Sequence, residues 1–539
     1  MSAGTERARA VLARYARPDA CAANLLCDRH PREALALTCV AGDGSVARLT
    51  YGELAERSRR LAETLAAMGV GPGDRVATLM GKGPALVVAM LATWRLGAVY
   101  VPLFTAFGPQ AIALRLTETA ATVVFTDTDQ VGKLAPGPDM PADPPWRSMV
   151  LDDDAGVGPA GAPAVPAAHV GGGDGPIVHM LTSGTTGRPK GVVHPLTFVA
   201  GFEVYLELGL DVRPDDVFWS AADPGWAYGL YSAVIGPLAA GIPSVLVAGG
   251  FSAPRTLEVL RDLAVTNMAA APTAYRALKT ADWRALGPYR VRCASSAGEP
   301  LTPDVNAWAR EALGVEVRDH YGQTELGMCV GNHQHPDLRR PVKDGSMGRA
   351  LPGWSLAVLR DDADEVAPPD TLGRPAVDVR HSPLMTFRGY HGRSATSDRF
   401  TADGRWYLTG DAARQDADGD VFFAARGDDV IIMAGYRIGP FDVESVLAQH
   451  AAVAECAVIA APDEARGEVL EAYVVAREPH VAGDRLAREL QQLVKERYAA
   501  YAYPRAVHFV DALPKTPSGK IQRYLLRERR EAELGATAR

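Results

Sequence analysis

Between residues 52 and 103 the chain alternates in a way that leaves few folds open to it. Residues 52–68 (GELAERSRRLAETLAAM) carry apolar side chains at helical spacing and run into Gly69, where a C-cap glycine belongs. Arg75–Met80 reads as a short strand. Pro84–Leu96 reads as a helix with proline near its start and Gly97 at its end, and Ala98–Leu103 reads as a strand again. Strands that alternate with helices predict an α/β sheet covered on both faces. The same alternation resumes at Ile177 and runs to about residue 330. Between them, residues 131–176 are rich in Pro, Gly, Ala and Asp and are expected to form a surface excursion or flexible loop.

Past residue 356 the pattern changes. Short β-like runs with Asp-Gly turns at Asp403-Gly404 and Asp418-Gly419 predict hairpins or a small barrel from Leu356 to Phe423. Val430–Arg539 has strand and helix signals of its own, as a small α+β domain would. A chain of 539 residues exceeds what one hydrophobic core supports, so at least two domains are expected.

Composition narrows the partners. The net charge of −8 gives no reason to expect a polyanionic partner, so nucleic-acid binding is not expected. The six cysteines contain no C-x-x-C pair, which argues against a disulfide framework or zinc site and fits a reducing cytosol. The N-terminus has no apolar core of a signal peptide, and the apolar run from Pro84 is broken by Arg95 and Gly97, so no membrane span is expected. A cytoplasmic enzyme acting on small molecules is the expectation.

The strongest local signal is Leu181-Thr182-Ser183-Gly184-Thr185-Thr186-Gly187-Arg188-Pro189-Lys190-Gly191, after the apolar run Ile177–Leu181. Glycines let the backbone turn tightly and bring N–H groups to an anion, hydroxyls add donors, and Lys190 adds a mobile positive charge. Together they suit a polyphosphate. The loop is not a Walker A motif, because Lys190 is followed by Gly191 rather than Ser or Thr.

This loop resembles the signature of the adenylate-forming superfamily, which includes acyl-CoA synthetases, peptide-synthetase adenylation domains and luciferases. Further matches follow in order. Ser296-Ala297-Gly298-Glu299-Pro300 resembles the adenine-side motif, and Asp319-His320-Tyr321-Gly322-Gln323-Thr324-Glu325 the central motif. Tyr407-Leu408-Thr409-Gly410-Asp411 resembles the ribose motif, and Arg426-Gly427-Asp428-Asp429 the hinge, with Gly435-Tyr436-Arg437 beyond it. Pro514-Lys515-Thr516-Pro517-Ser518-Gly519-Lys520 resembles the C-terminal lysine motif. The resemblance spans almost the whole chain and is closest to short- and medium-chain acyl-CoA synthetases.

The resemblance implies a large N-terminal domain of stacked α/β subdomains with a small β-barrel-like part, residues 1–427. A small mobile α+β domain, residues 428–539, would swing about Asp428. It implies ATP, Mg2+ and coenzyme A as cofactors. Lys520 would bridge the carboxylate and the α-phosphate, Thr324 would donate to that phosphate, and Glu325 would hold magnesium, which prefers oxygen ligands shared with phosphates. Gly298, Glu299, Pro300, Asp319, His320, Tyr321, Gly322 and Gln323 would surround the adenine side, with Tyr321 stacking on the base. Asp411 would accept from the ribose hydroxyls, Arg426 and Arg437 would contact the nucleotide, and Gly435, Tyr436 and Arg437 would line a thiol channel.

Trp226, Ala227 and Tyr228, in the run Asp223–Gly229, resemble the acid-pocket segment, with Ala297 and Gly322 completing it. Acetate-specific relatives place tryptophan where this chain has Gly322, so the expectation is an open pocket floor and a larger acid. The activity implied is an AMP-forming ligase for short- to medium-chain acids. An adenylation enzyme serving a separate carrier protein, and a nucleotide-binding protein without acyl chemistry, are the competing readings.

Overall fold

The computed structural model describes residues 3–151, 167–182, 189–392, 399–427, 429–433, 436–463, 467–478, 481–499, 502–516 and 520–537. The alternating stretch forms as its sequence predicts. The helix Tyr51–Ala67 starts at Thr50, whose side chain and Glu53 satisfy each other's backbone amides in a capping box. It ends before Gly69, whose φ of +87° lies where only glycine sits without strain. The helix Pro84–Arg95 starts on proline and is buried along its whole length, which is why its sequence lacks a polar face.

Two sheets carry the N-terminal part. A six-stranded sheet runs in the order Arg147–Val150, Ala121–Thr126, Arg75–Leu79, Val99–Pro102, Pro176–Thr182, Lys190–Pro195. Only its last pair is antiparallel. An eleven-stranded sheet has a parallel centre, which includes Phe218–Ser220, Asn267–Ala270, Cys293–Ala297 and Val317–Gln323. Its antiparallel flank continues through Gly327–Gly331 and Ser346–Ala350 to the hairpin Asp411–Gln415/Val421–Arg426. One hydrophobic core joins helices and strands from both sheets.

The expected excursion over residues 131–176 is corrected in part. Arg147–Val150 is a strand parallel to Ala121–Thr126, and Leu134, Met140 and Trp146 are buried against that sheet. Three well-spaced apolar anchors suffice to dock a segment whose average composition reads as a loop. Residues 152–166 lie outside the described residues.

The β-rich part comprises the three-stranded sheet Leu356–Leu359, Arg374–Asp378, Trp406–Leu408, stitched to the hairpin by a bridge between Gly373 and Ala413. Both Asp-Gly turns are present, with Gly404 and Gly419 at positive φ. The C-terminal stretch has a core of its own, from Ile431 to Ala502, under a separate mixed sheet and the helices Pro440–Leu447 and Asp484–Arg497. Among the described residues, no helix is long and apolar enough to cross a membrane.

Candidate active site

Sheet alternation builds the centre of the site. In the strand Val317–Gln323, Tyr321 and Gln323 both reach Asp411 at the start of the hairpin Asp411–Gln415/Val421–Arg426. The Tyr321 hydroxyl donates to Asp411 Oδ2, and Gln323 Nε2 donates to the same oxygen at 2.9 Å and to the Thr409 carbonyl at 2.8 Å. Arg426 Nη1 donates to Asp411 Oδ1 at 2.8 Å, and Tyr407 donates to Gln323 Oε1 at 3.1 Å. Asp411 is buried. A buried carboxylate needs such partners, and these fix its orientation before any ligand arrives.

Asp319 lies under this corner, fully enclosed, and accepts from Ser296 Oγ at 2.6 Å. Burial raises its carboxyl to about 7, against the opposing pull of Ser296 and nearby backbone amides. Gly298 follows Ala297 at φ +99° with open space where a side chain would point, so the turn requires glycine for its backbone angle alone. The Glu299 carboxylate is held by Thr273 at 2.7 Å and Arg276 at 2.6 Å, and the half-buried Pro300 follows. The side chain of His320 is turned the other way. Its ring pairs with Tyr205 at 2.7 Å and the Asn332 carbonyl at 3.1 Å, which leaves any nucleotide contact at this position to its backbone.

The phosphate loop sits at the tip of a hairpin, with Thr182 paired to Lys190. A strand, not a helix, follows it, as the sequence argument against a Walker A loop requires. Ser183, Gly184, Thr185 and Thr186 lie outside the described residues. Lys190 Nζ stands 4.8 Å from the centre of the Tyr390 ring, and the Tyr390 hydroxyl donates to Glu325 Oε1 at 2.7 Å. Burial first, then the charge of Glu325, pushes that hydroxyl up to about 12, so it remains a donor. Among the described residues only Oε1 of Glu325 is hydrogen-bonded. A carboxylate with one oxygen not hydrogen-bonded among the described residues fits magnesium, which takes one or two protein carboxylates and completes its shell with phosphate and water.

Thr324 is held through its backbone. His194 Nε2 lies 2.7 Å from the Thr324 carbonyl and Nδ1 lies 2.8 Å from the Tyr231 hydroxyl. A carbonyl only accepts, so Nε2 carries the hydrogen and Nδ1 accepts from Tyr231. Burial lowers the ring to about 4 and keeps it neutral, and Phe198 stacks on it at 3.9 Å.

Lys520 reaches this cleft from the C-terminal part. Its amide donates to Thr516 Oγ1 at 3.1 Å, and its carbonyl accepts from the Thr516 amide at 2.8 Å. The residue is exposed, and desolvation by the protein around it lowers its ammonium from the ordinary lysine value. Arg426 pushes the same way, while Glu299 and Asp411 oppose. Lys520 therefore lies within electrostatic reach of the Asp411 corner. Asp428 and Gly435 lie outside the described residues, and of Tyr436 and Arg437 only their place in the strand Tyr436–Ile438 is described. Just past residue 428, Asp429 pairs with Arg527, and Arg523 in the same helix grips Glu444 at 2.7 Å.

At the acid segment, Trp226 packs at 5.3 Å from Phe104 and 5.4 Å from Phe107, Ala227 lies partly buried beside the main core, and Tyr228 pairs with Tyr205 at 3.2 Å. Ala297 is buried at the end of its strand. Gly322 overturns one expectation. A Cβ there would run into the Gly327 carbonyl oxygen and lie 2.8 Å from Met328 Sδ. The glycine marks a close approach of two strands, not an open floor, so it does not argue for a larger acid.

Sequence reasoning missed Tyr390, His194 and Tyr205. Of these, His194 had a readable signal, as a histidine in the apolar strand directly behind the phosphate loop.

Comparison with known proteins agrees with this geometry. A family model described as AMP-binding enzyme matches residues 26–391, and one described as AMP-binding enzyme C-terminal domain matches residues 442–520. Acetyl-coenzyme A synthetase of Bacillus subtilis (strain 168) is 34% identical over 497 residues, covering 89% of this chain and 85% of that protein. Among solved structures, the acyl-CoA synthetase of Brucella canis is 41% identical with a TM-score of 0.74, over 98% of this chain and 97% of that one. The anthranilate CoA ligase AuaEII, solved with anthranoyl-AMP, is 26% identical with a TM-score of 0.84, over 95% and 97%. With both family models matched in order, the first across more than half of its 539 residues, the chain belongs to the AMP-binding, adenylate-forming enzyme family.

Proposed function

We propose that the protein is an AMP-forming acyl-CoA ligase for short- to medium-chain carboxylic acids. The observation that carries this reading is the buried Asp411 carboxylate held by Tyr321, Gln323 and Arg426, with the charges of Arg426, Glu299 and Asp411 acting on Lys520. Glu325, Tyr390 and Lys190 form a second polar group, in which Tyr390 joins the other two. The printed activities of the relatives, acetyl-coenzyme A synthetase among them, support it.

A carboxylate is a poor acyl donor because its oxygen is a bad leaving group. In the first half-reaction one carboxylate oxygen attacks the α-phosphorus of ATP, the bond to the β-phosphate oxygen breaks, and acyl-adenylate and pyrophosphate result. Charge collects on the α-phosphate oxygens, and Lys520 and the Thr324 hydroxyl are assigned to them. Asp411 is assigned to the ribose and Tyr321 to the adenine face. Thr182, Ser183, Gly184, Thr185, Thr186 and Lys190 are assigned to the outer phosphates. Glu325 would hold Mg2+, which neutralises phosphate charge when bound. In the second half-reaction the CoA thiolate attacks the acyl carbonyl and AMP departs. Residues 428–539 rotate as one body about Asp428 between the two, exchanging Lys520 for Gly435–Arg437. A core separate from the rest supports that boundary.

The test is acid-dependent pyrophosphate exchange followed by CoA-dependent AMP release, over acids of two to eight carbons. Exchange without any acyl-CoA product would shift the reading to an enzyme that loads a carrier protein.

A further inference from the structure

The half-buried Tyr228 in the acid segment is the outer end of a hydrogen-bond chain that runs into the core. Its hydroxyl lies 3.2 Å from that of Tyr205, which lies 2.7 Å from His320 Nδ1. His320 Nε2 lies 3.1 Å from the backbone carbonyl of Asn332. Tyr205 and His320 are almost completely buried.

The inner end fixes the direction of every proton in the chain. A backbone carbonyl can only accept, so Nε2 of His320 carries a hydrogen. Burial lowers the ring to about 3, so it is neutral and has no second N–H. Nδ1 must therefore accept, and the one hydrogen on the Tyr205 hydroxyl goes to it. Tyr205 is left able only to accept from Tyr228, whose single hydrogen is thereby drawn inward. Reversing the chain would set two acceptors against each other at Asn332 or place a charged imidazole in the core, and either is costly.

We infer that the acid pocket presents Tyr228 as a hydrogen-bond acceptor only, and that the preferred substrates are acids with a hydrogen-bond donor on the acyl chain, such as hydroxy acids. This rests on the ligase reading and on the place of Tyr228 in the acid pocket. A wholly apolar pocket discriminates weakly against an isostere with one hydroxyl, whereas a placed polar group selects for it. A single neutral hydrogen bond corresponds to about threefold to tenfold in kcat/KM.

The experiment compares near-isosteric acids at each length. Hydroxyalkanoates from 3-hydroxypropanoate to 6-hydroxyhexanoate are each paired with the alkanoate one carbon longer, and 4-oxopentanoate with 4-methylpentanoate. In the wild type, at least one hydroxy acid should exceed its partner by about threefold to tenfold in kcat/KM for acyl-CoA formation. The oxo acid, which only accepts, should show no advantage. Tyr228→Phe should bring the hydroxy-to-alkyl ratio to about one. Tyr205→Phe is the sharper variant. It removes the acceptor that draws in the Tyr228 hydrogen, so that hydrogen can turn to the pocket and the oxo acid should gain on 4-methylpentanoate. A packing effect of either substitution would not change the ratio within an isosteric pair.

If acids are ligated but no hydroxy acid is preferred, or if Tyr205→Phe leaves the oxo ratio unchanged, the inference is overturned and the ligase reading stands. If no acid in the panel gives acyl-CoA, the ligase reading falls and takes this inference with it.

Discussion

The two sides of the catalytic cleft are built on different plans. The Asp411 corner is over-determined, with a buried carboxylate that receives Tyr321 and Gln323 from one strand and Arg426 from another. Lys520 lies outside the named strands and helices, tied by a reciprocal pair of hydrogen bonds to Thr516, and is exposed. A group that serves throughout the reaction gains from being locked in place before the ligand binds. On the proposed reading, a group needed for one half-reaction must be able to leave, and a position on a separately packed domain permits that. On that reading, dense bonding goes with the half of the site that stays in place and sparse bonding with the half that is exchanged.

The largest effect that would test this contrast is at Lys520. Lys520→Ala should lower adenylate formation by about a hundred- to a thousandfold, since a positioned charge at a developing transition state contributes roughly 3–4 kcal/mol. Thioester formation from supplied acyl-adenylate should be spared. Equal loss in both steps would place Lys520 in the permanent half. Next comes Gly322 on the rigid side. Because a side chain there meets the Gly327 carbonyl and Met328, Gly322→Trp should destabilise the fold by about 3 kcal/mol or more, read as a lowered unfolding temperature. A stable variant with preference shifted to the shortest acids would instead restore an open pocket floor.

Asp428→Pro addresses the joint between the two sides. Proline fixes φ, so adenylation should survive while thioester formation falls by roughly tenfold or more. A wild-type rate of CoA ligation would mean that the chain does not turn at this residue.

The smallest effect concerns His194, which orients Thr324 through its carbonyl. His194→Ala should lower adenylation by about tenfold, and His194→Gln, which keeps an N–H donor, should recover part of it. A second readout separates positioning from bulk packing. The ring is held near 4, below its unfolded value of about 6.5, so its contribution to stability is present above pH 6.5 and is lost as pH falls toward 4. The Gln variant should therefore show a shallower loss of unfolding temperature over that range. An unchanged pH profile would remove His194 from this role.

Legibility followed sequence distance. The helix Tyr51–Ala67 was readable because its periodicity, capping residues and closing glycine are all local. The strand Arg147–Val150 was not, because it is set by pairing with Ala121–Thr126 and by three scattered buried anchors. In the site, Asp411, Glu325 and Lys520 sit in short contiguous motifs and were named in advance. Tyr390 and Tyr205 reach Glu325 and His320, 65 and 115 positions away, and no local pattern announces them.

By itself, then, the sequence of this protein determined the alternating α/β architecture, the separate C-terminal unit and the chemical inventory of the site, because periodicity, turn residues and compact motifs are properties of neighbouring residues. Only the tertiary structure decided whether Gly322 makes room or removes it, which way the hydroxyl of Tyr228 points, and that Tyr321, Gln323 and Arg426 converge on Asp411. Each of these depends on which strand, carbonyl or carboxylate lies opposite in space, and packing between distant segments alone sets that.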